Sequence, residues 1–127
     1  MARTRRPLTV LLVEDDAAVR SLTRRMLASL GHTVTAAASG AEALGLVEVA
    51  DRLPDLLLTD VRMPGIQGPE LARRLRDRRP DLPVVFTSGF SAELGDSVAI
   101  HGAQVLDKPF DLRRLDAAIR AAVGLER

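Results

Sequence analysis

Apolar residues in this chain fall into short unbroken runs, and between the runs they recur at helical spacing. Leu8 to Val13 is the first run, interrupted only by Thr9. It predicts a strand covered on both faces, as in a parallel sheet. Val19, Leu22, Met26 and Leu30 then repeat at helical spacing with Arg20, Arg24 and Arg25 outside, and Gly31 stops that helix. His32 to Ala37 is a second, weaker strand. Ser39-Gly40-Ala41-Glu42 has the form of a capping box and opens a second helix through about Val49. Asp55 to Thr59 makes a third strand, and the chain turns after it through Met63-Pro64-Gly65. Pro69 suits the first turn of a third helix, where its missing N–H costs nothing. Pro83 to Thr87 is a fourth strand, Ser91 caps a fourth helix ending near Gly102, and Ala103 to Leu106 is a fifth strand. Asp111 caps a last helix with Leu112, Leu115, Ile119 and Val123 on one face, and Gly124 ends it.

Strand and helix thus alternate five times. That order predicts an α/β fold with a parallel sheet and helices on both faces, and right-handed crossovers leave few topologies for it. The 127 residues suit one domain, with residues 1–7 as a basic arm, 8–124 as the domain, 125–127 as a short tail, and no output domain. Aromatic residues are 2% of the chain, so aliphatic side chains must fill its core.

The charge balance is +1, which does not suggest a nucleic-acid binder. Arg3 to Arg6 reads as a solvated arm. The basic run from Arg73 to Arg79 alternates with apolar helix positions and reads as a solvated outer face. There are no cysteines, which excludes disulfides and thiolate metal sites. The apolar run after the basic start is too short for a signal-peptide core or a membrane span, so no membrane segment is expected and a cytoplasmic location is the default.

In an open parallel sheet, ligands bind beyond the carboxyl ends of the strands, at the switch point. The residues there are Glu14, Asp15 and Asp16 after the first strand, Asp60 after the third, Thr87 and Ser88 after the fourth, and Asp107, Lys108 and Pro109 after the fifth. Each has a plain role when taken singly. Acids favour a helix N-terminus, Asp60 suits a turn, Ser88 is a loop hydroxyl and Lys108 a solvated cation. Together they suit one purpose. Glu14, Asp15 and Asp60 gather carboxylates that repel one another unless a cation is bound. An all-oxygen set suits a hard cation such as Mg²⁺, whereas His32 and His101 lie away from it and zinc is not expected. Beside such a cation an aspartate can take a phosphoryl group as an acyl phosphate, with Lys108 and the Ser88 hydroxyl holding its other oxygens.

The segments LLVEDDAAVR at 11–20, LLLTDVRMPGIQG at 56–68, VVFTSGF at 84–90 and LDKPF at 106–110 carry a resemblance. In order and spacing they resemble the receiver domain of bacterial two-component response regulators, across almost the whole chain. The resemblance implies a flavodoxin-like, doubly wound (βα)5 three-layer sandwich with sheet order 2-1-3-4-5. It implies Asp60 as phosphoacceptor, Asp15 as direct ligand to Mg²⁺ (or Mn²⁺), Glu14 acting through water, and the Arg62 backbone carbonyl on the metal. Ser88 takes the place of the switch hydroxyl, and Thr87 does not. Lys108 is the phosphate-binding lysine, the Lys108–Pro109 bond is cis, and Asp16 starts a helix rather than binding metal.

The implied function is that of a phosphorelay switch. A histidine kinase or histidine phosphotransfer protein donates to Asp60. A downstream protein reads the face of helix four, strand five and helix five, and the chain is a monomer or a phosphorylation-dependent dimer. The protein is then no turnover enzyme, although its own site catalyses phosphoryl uptake and slow hydrolysis. Two features depart from the family's pattern. Val105 stands where many receivers carry an aromatic switch residue, which puts coupling on the loops after strands three and four. Arg62 and Phe90, large side chains two positions past the acceptor and the switch hydroxyl, are expected to hinder water and lengthen the phosphoryl lifetime. Two other readings stand beside this one: a Mg²⁺-dependent aspartyl-phosphate phosphohydrolase, disfavoured by Arg62 where such enzymes place an acid, and a receiver-like scaffold that is never phosphorylated. The sequence is compatible with a stand-alone regulator or a piece of a hybrid kinase or longer regulator, and FTSGFS with LDKPF resembles hybrid-kinase receivers.

Overall fold

A computed structural model describes residues 7–89, 100 and 102–124. Phe90, the helix predicted to start at Ser91, His101, most of the basic arm and the short tail lie outside the described residues.

Five strands, β1 (Thr9–Val13), β2 (Thr33–Ala37), β3 (Leu56–Asp60), β4 (Val84–Ser88) and β5 (Gln104–Asp107), pair in parallel in the order β2-β1-β3-β4-β5. The helices among the described residues are α1 (Ala17–Ser29), α2 (Gly40–Val49), α3 (Gly68–Arg76) and α4 (Leu112–Ala122), the last being the helix predicted to follow Asp111. Side chains alternate across each strand, so one run of apolar residues feeds two cores. Val10, Leu12, Leu56, Leu58 and Val85 pack with Leu27 of α1 and with Leu115 and Ile119 of α4. Leu11, Val13, Leu57, Val84 and Phe86 pack with Ala43 and Val47 of α2 and with Leu71 and Leu75 of α3. This is the flavodoxin-like three-layer sandwich, and it explains why β3 and β4 are buried at every position.

The predicted helix caps are present. Asp16 Oδ1 accepts the Val19 N–H at 3.0 Å, Ser39 Oγ the Glu42 N–H at 3.1 Å, and Asp111 Oδ1 the Arg114 N–H at 2.9 Å. Glu42 reaches back one residue beyond a standard box, to the Ala38 N–H at 2.8 Å. Gly31 and Gly124 follow α1 and α4 with φ of 96° and 78°, the left-handed geometry that terminates a helix.

Several sequence expectations are corrected. Strands three, four and five each run one residue later than predicted, so that Asp60, Ser88 and Asp107 are their last residues. Pairing is a backbone matter, and a polar side chain does not interrupt it: Asp60 lies in register with Thr87, and Ser88 with Asp107. Asp55 is instead a clamp ahead of β3, its carboxylate accepting the Thr9 N–H at 2.9 Å and the Thr9 hydroxyl at 3.1 Å. On α1 the deeply buried positions are Thr23 and Leu27, while Leu22 is 54% exposed. Leu22 borders an open groove of about 350 Å³ with Val19, Met26, Pro109 and Phe110 rather than the core. Leu112 is likewise exposed, leaving Leu115 and Ile119 as the buried face of α4. Finally, the basic run is not all solvated. The Arg76 guanidinium donates to the Leu82 carbonyl at 2.7 and 3.0 Å, and Arg79 donates to the Pro54 carbonyl at 2.9 Å. Both tie the C-terminal end of α3 to the loops that lead into β3 and β4.

Candidate functional site

β1 and β3 are neighbours, with Val13 in register with Thr59. The chain leaves β1 towards β2 on one side and returns to β3 on the other, so the sheet order reverses between them. Glu14 therefore emerges beside Asp60, and one carboxylate oxygen each of Glu14, Asp15 and Asp60 lie within 4.8 Å of one another. Glu14 and Asp60 are 3% and 8% exposed, whereas Asp15 faces solvent. Lys108 comes from the end of β5 and reaches past β4 into the cluster. Its Nζ donates to Glu14 Oε1 at 2.9 Å and to Asp60 Oδ2 at 3.0 Å.

The backbone around these groups is tied down. The Glu14 N–H donates to the Ala37 carbonyl at 3.1 Å, and the Asp16 N–H donates to Glu14 Oε2 at 3.1 Å. The Lys108 N–H donates to the Ser88 carbonyl at 2.8 Å, and the Val61 N–H to the Thr87 carbonyl at 3.0 Å. Lys108–Pro109 is cis, as the resemblance implies. Ser88 is fully buried at the end of β4, and Arg62 is exposed in the loop that follows β3. Asp16 is spent on capping α1. His32 lies at the opposite end of the sheet, where its Nδ1 accepts the Leu8 N–H at 3.1 Å.

Burial pushes the Glu14 carboxyl above the usual carboxylate range. The hydrogen bond from Lys108 opposes that rise, and the nearby Asp60 charge adds to it. Burial by itself would lower the Lys108 ammonium, but hydrogen bonds to Glu14 and Asp60, and their charges, outweigh it and hold the group above the usual lysine range. The lysine is thus a fixed cation between two buried carboxylates. The described cluster offers only oxygen donors and one solvent-facing acid, which fits a hard divalent cation that keeps part of its water shell.

One contributor was missed by sequence reasoning. Arg20, placed on the outer face of its helix, donates from Nη1 to the Glu14 carbonyl at 2.8 Å and anchors the loop that carries the acids. Nothing in the sequence signals this, because the arginine's reach depends on how α1 docks on the sheet.

These features define a flavodoxin-like α/β domain with a carboxylate–lysine site at its topological switch point. The sequence profile described as "Response regulator receiver domain" matches residues 10–120, and the chain belongs to that family, the receiver domains of two-component systems. It is similar to the sensor kinase CckA of Brucella abortus (strain 2308), with 41% identity over 114 residues, covering 88% of this chain and 12% of that protein. It is also similar to the response regulator MprA of Mycobacterium sp. (strain KMS), with 41% identity over 117 residues, covering 91% and 50% of the two chains. The crystal structure of the receiver domain from the hybrid histidine kinase CckA superposes with a TM-score of 0.74 at 38% identity, covering 91% of this chain and 98% of that one. The chain thus spans half or less of these two curated relatives. Among the described residues, no helix is long and apolar enough to cross a membrane.

Proposed function

We propose that the chain is a phosphoacceptor switch in which Asp60 takes a phosphoryl group from a phosphohistidine. The observation that carries this reading is the Lys108 ammonium held 2.9 Å from Glu14 and 3.0 Å from Asp60, at the carboxyl ends of three strands. An Asp60 carboxylate oxygen attacks phosphorus, the P–N bond breaks, and its electron pair returns to the imidazole nitrogen. The product is an aspartyl phosphate. Lys108 and the Ser88 hydroxyl hold the phosphoryl oxygens as negative charge moves onto them. Asp15, Asp60 and the Arg62 backbone carbonyl would hold Mg²⁺ (or Mn²⁺), with Glu14 acting through water. When bound, the cation offsets the charge of the carboxylates and of the incoming phosphoryl group.

The donor is a histidine kinase or a histidine phosphotransfer protein in the cytoplasm. Phosphorylation shifts a two-state equilibrium, and a downstream protein reads the face carrying β5 and α4. The chain acts as a switch rather than a turnover enzyme, and the Arg62 side chain slows attack of water on the phosphoryl group. Residues 8–124 form the switching unit.

The test is incubation with Mg²⁺ and a small acyl-phosphate donor, followed by intact mass measurement. The wild type gains one phosphoryl group and Asp60→Asn gains none. Equal labelling of both would remove Asp60 from the role.

A further inference from the structure

The connection from β3 to α3 rests on two glycines. α3 begins at Gly68, whose N–H donates to the Val61 carbonyl at 2.9 Å. A methyl group on Gly68 would run into the carbonyl oxygen of Asp60 and lie 3.1 Å from the Val61 α-carbon. Gly68 is not among the residues of positive φ, so the position requires empty space rather than backbone freedom. The obstacle is backbone, and that backbone is held in place. Asp60 is in register with Thr87, the Val61 N–H donates to the Thr87 carbonyl at 3.0 Å, and the Thr59 hydroxyl donates to the Asp60 carbonyl at 3.0 Å. The second seat is Gly40, the first residue of α2. A methyl group there would lie 2.9 Å from Ile66 Cβ and 3.0 Å from the Ile66 carbonyl oxygen. Gly45, in the middle of the same helix, would meet nothing within 4 Å.

We propose that Gly68 and Gly40 are positioning residues for the Asp60 site. Their bare α-carbons seat residues 61–67 against the end of β3, and so set where the Arg62 carbonyl lies relative to the Asp60 carboxylate. The inference rests on the phosphoacceptor reading above. β3 is held by a strand on each side, whereas the segment after it is a loop. An added methyl therefore displaces the loop and the start of α3 before it displaces Asp60. Mg²⁺ demands near-ideal geometry at about 2.0–2.1 Å, so a displacement that the fold tolerates still disrupts its ligand set.

The test compares Gly68→Ala, Gly40→Ala and the control Gly45→Ala in the full chain. Amide NMR of the metal-free proteins maps the displacement. A Mg²⁺ titration gives the half-saturation point, and intact mass gives the labelling rate by an acyl-phosphate donor at each Mg²⁺ concentration. In Gly68→Ala, amide shifts concentrated in residues 60–68 are expected, with a Mg²⁺ half-saturation raised about tenfold or more and a labelling rate that partly recovers at high Mg²⁺. Gly40→Ala shows a smaller change of the same kind, and Gly45→Ala matches the wild type. A folded Gly68→Ala protein with wild-type Mg²⁺ half-saturation overturns the proposal. If Gly68→Ala does not fold, Gly40→Ala decides: weakened Mg²⁺ binding in a folded protein supports the proposal, and unchanged binding overturns it. A wild type that neither binds Mg²⁺ nor takes label overturns the phosphoacceptor reading and this proposal with it. Normal wild-type behaviour with unaffected glycine variants overturns this proposal alone.

Discussion

Lys108 Nζ stands 3.0 Å from Asp60 Oδ2 while the same nitrogen donates to Glu14 at 2.9 Å, so two buried carboxylates share one ammonium. Replacing it by an apolar side chain leaves those carboxylates facing each other without a counter-ion. We expect Lys108→Met to lose about 3 kcal/mol of stability in metal-free buffer, the low end for breaking a buried ion pair because the lysine side chain is partly exposed. Added Mg²⁺ should raise the variant's melting temperature more than that of the wild type, because the cation restores the lost positive charge. Thermal melts with and without Mg²⁺ check this, and an equal Mg²⁺ effect on both proteins contradicts it.

Asp60→Asn should behave in the opposite way. It removes one of two like charges 8% and 3% exposed while keeping an oxygen for Lys108. The variant is expected to gain about 1 kcal/mol without metal, the common trade of stability against function at a charged site. Chemical denaturation in chelator measures it, and a destabilised variant would count against mutual repulsion of Glu14 and Asp60.

The same pair sets a pH dependence. The folded-state pKa of Glu14 is raised above its ordinary value of 4.5. Between those two values the folded chain binds more protons than the unfolded one. The stabilisation from protonated Glu14 is therefore fully present below pH 4.5 and is lost as pH rises through the folded value. Mg²⁺ binding runs the other way, since it requires the carboxylate, and it should weaken on acidification before pH 4.5 is reached. Carboxyl NMR follows the titration directly. In Asp60→Asn the Glu14 transition should move down, because the Asp60 charge contributes to the rise, and an unmoved transition would show the two groups to be uncoupled.

Arg62, exposed two positions after Asp60, is the expected barrier to attacking water. Arg62→Asn should speed loss of the phosphoryl group severalfold with little effect on stability, since surface changes rarely exceed about 0.5 kcal/mol. Intact mass followed over time after donor removal gives the rate, and an unaltered decay excludes the role.

The packing of α1 gives a purely structural test. Leu27→Ala should cost about 2–5 kcal/mol through the cavity it leaves, whereas Leu22→Ala, at a 54% exposed position, should cost about 0.5 kcal/mol. Comparable losses would place Leu22 in the core after all.

Much of this molecule follows from its sequence alone. The apolar runs from Leu8 to Val13 and around Leu56–Leu58 require strands covered on both sides, because no other element buries consecutive side chains so completely in so few residues. The caps at Asp16, Ser39 and Asp111 are equally local, a side-chain oxygen meeting an N–H three residues on. The carboxylates and the lysine could be named because an open parallel sheet places its ligands beyond the strand ends. Other features are not local. Whether Asp60 ends β3 or follows it depends on pairing with Thr87, which sequence periodicity does not report. Leu22 and Leu27 are equivalent in hydrophobicity, and only the docking of α1 on the sheet buries one of them and leaves the other beside a groove. Arg20 on the Glu14 carbonyl, Lys108 between two acids and Gly68 against the Asp60 carbonyl are contacts between segments far apart or turned towards each other only by packing. Chemistry and element type are written in residue identity and short-range spacing. Distance and direction come from the layers as they close around the sheet.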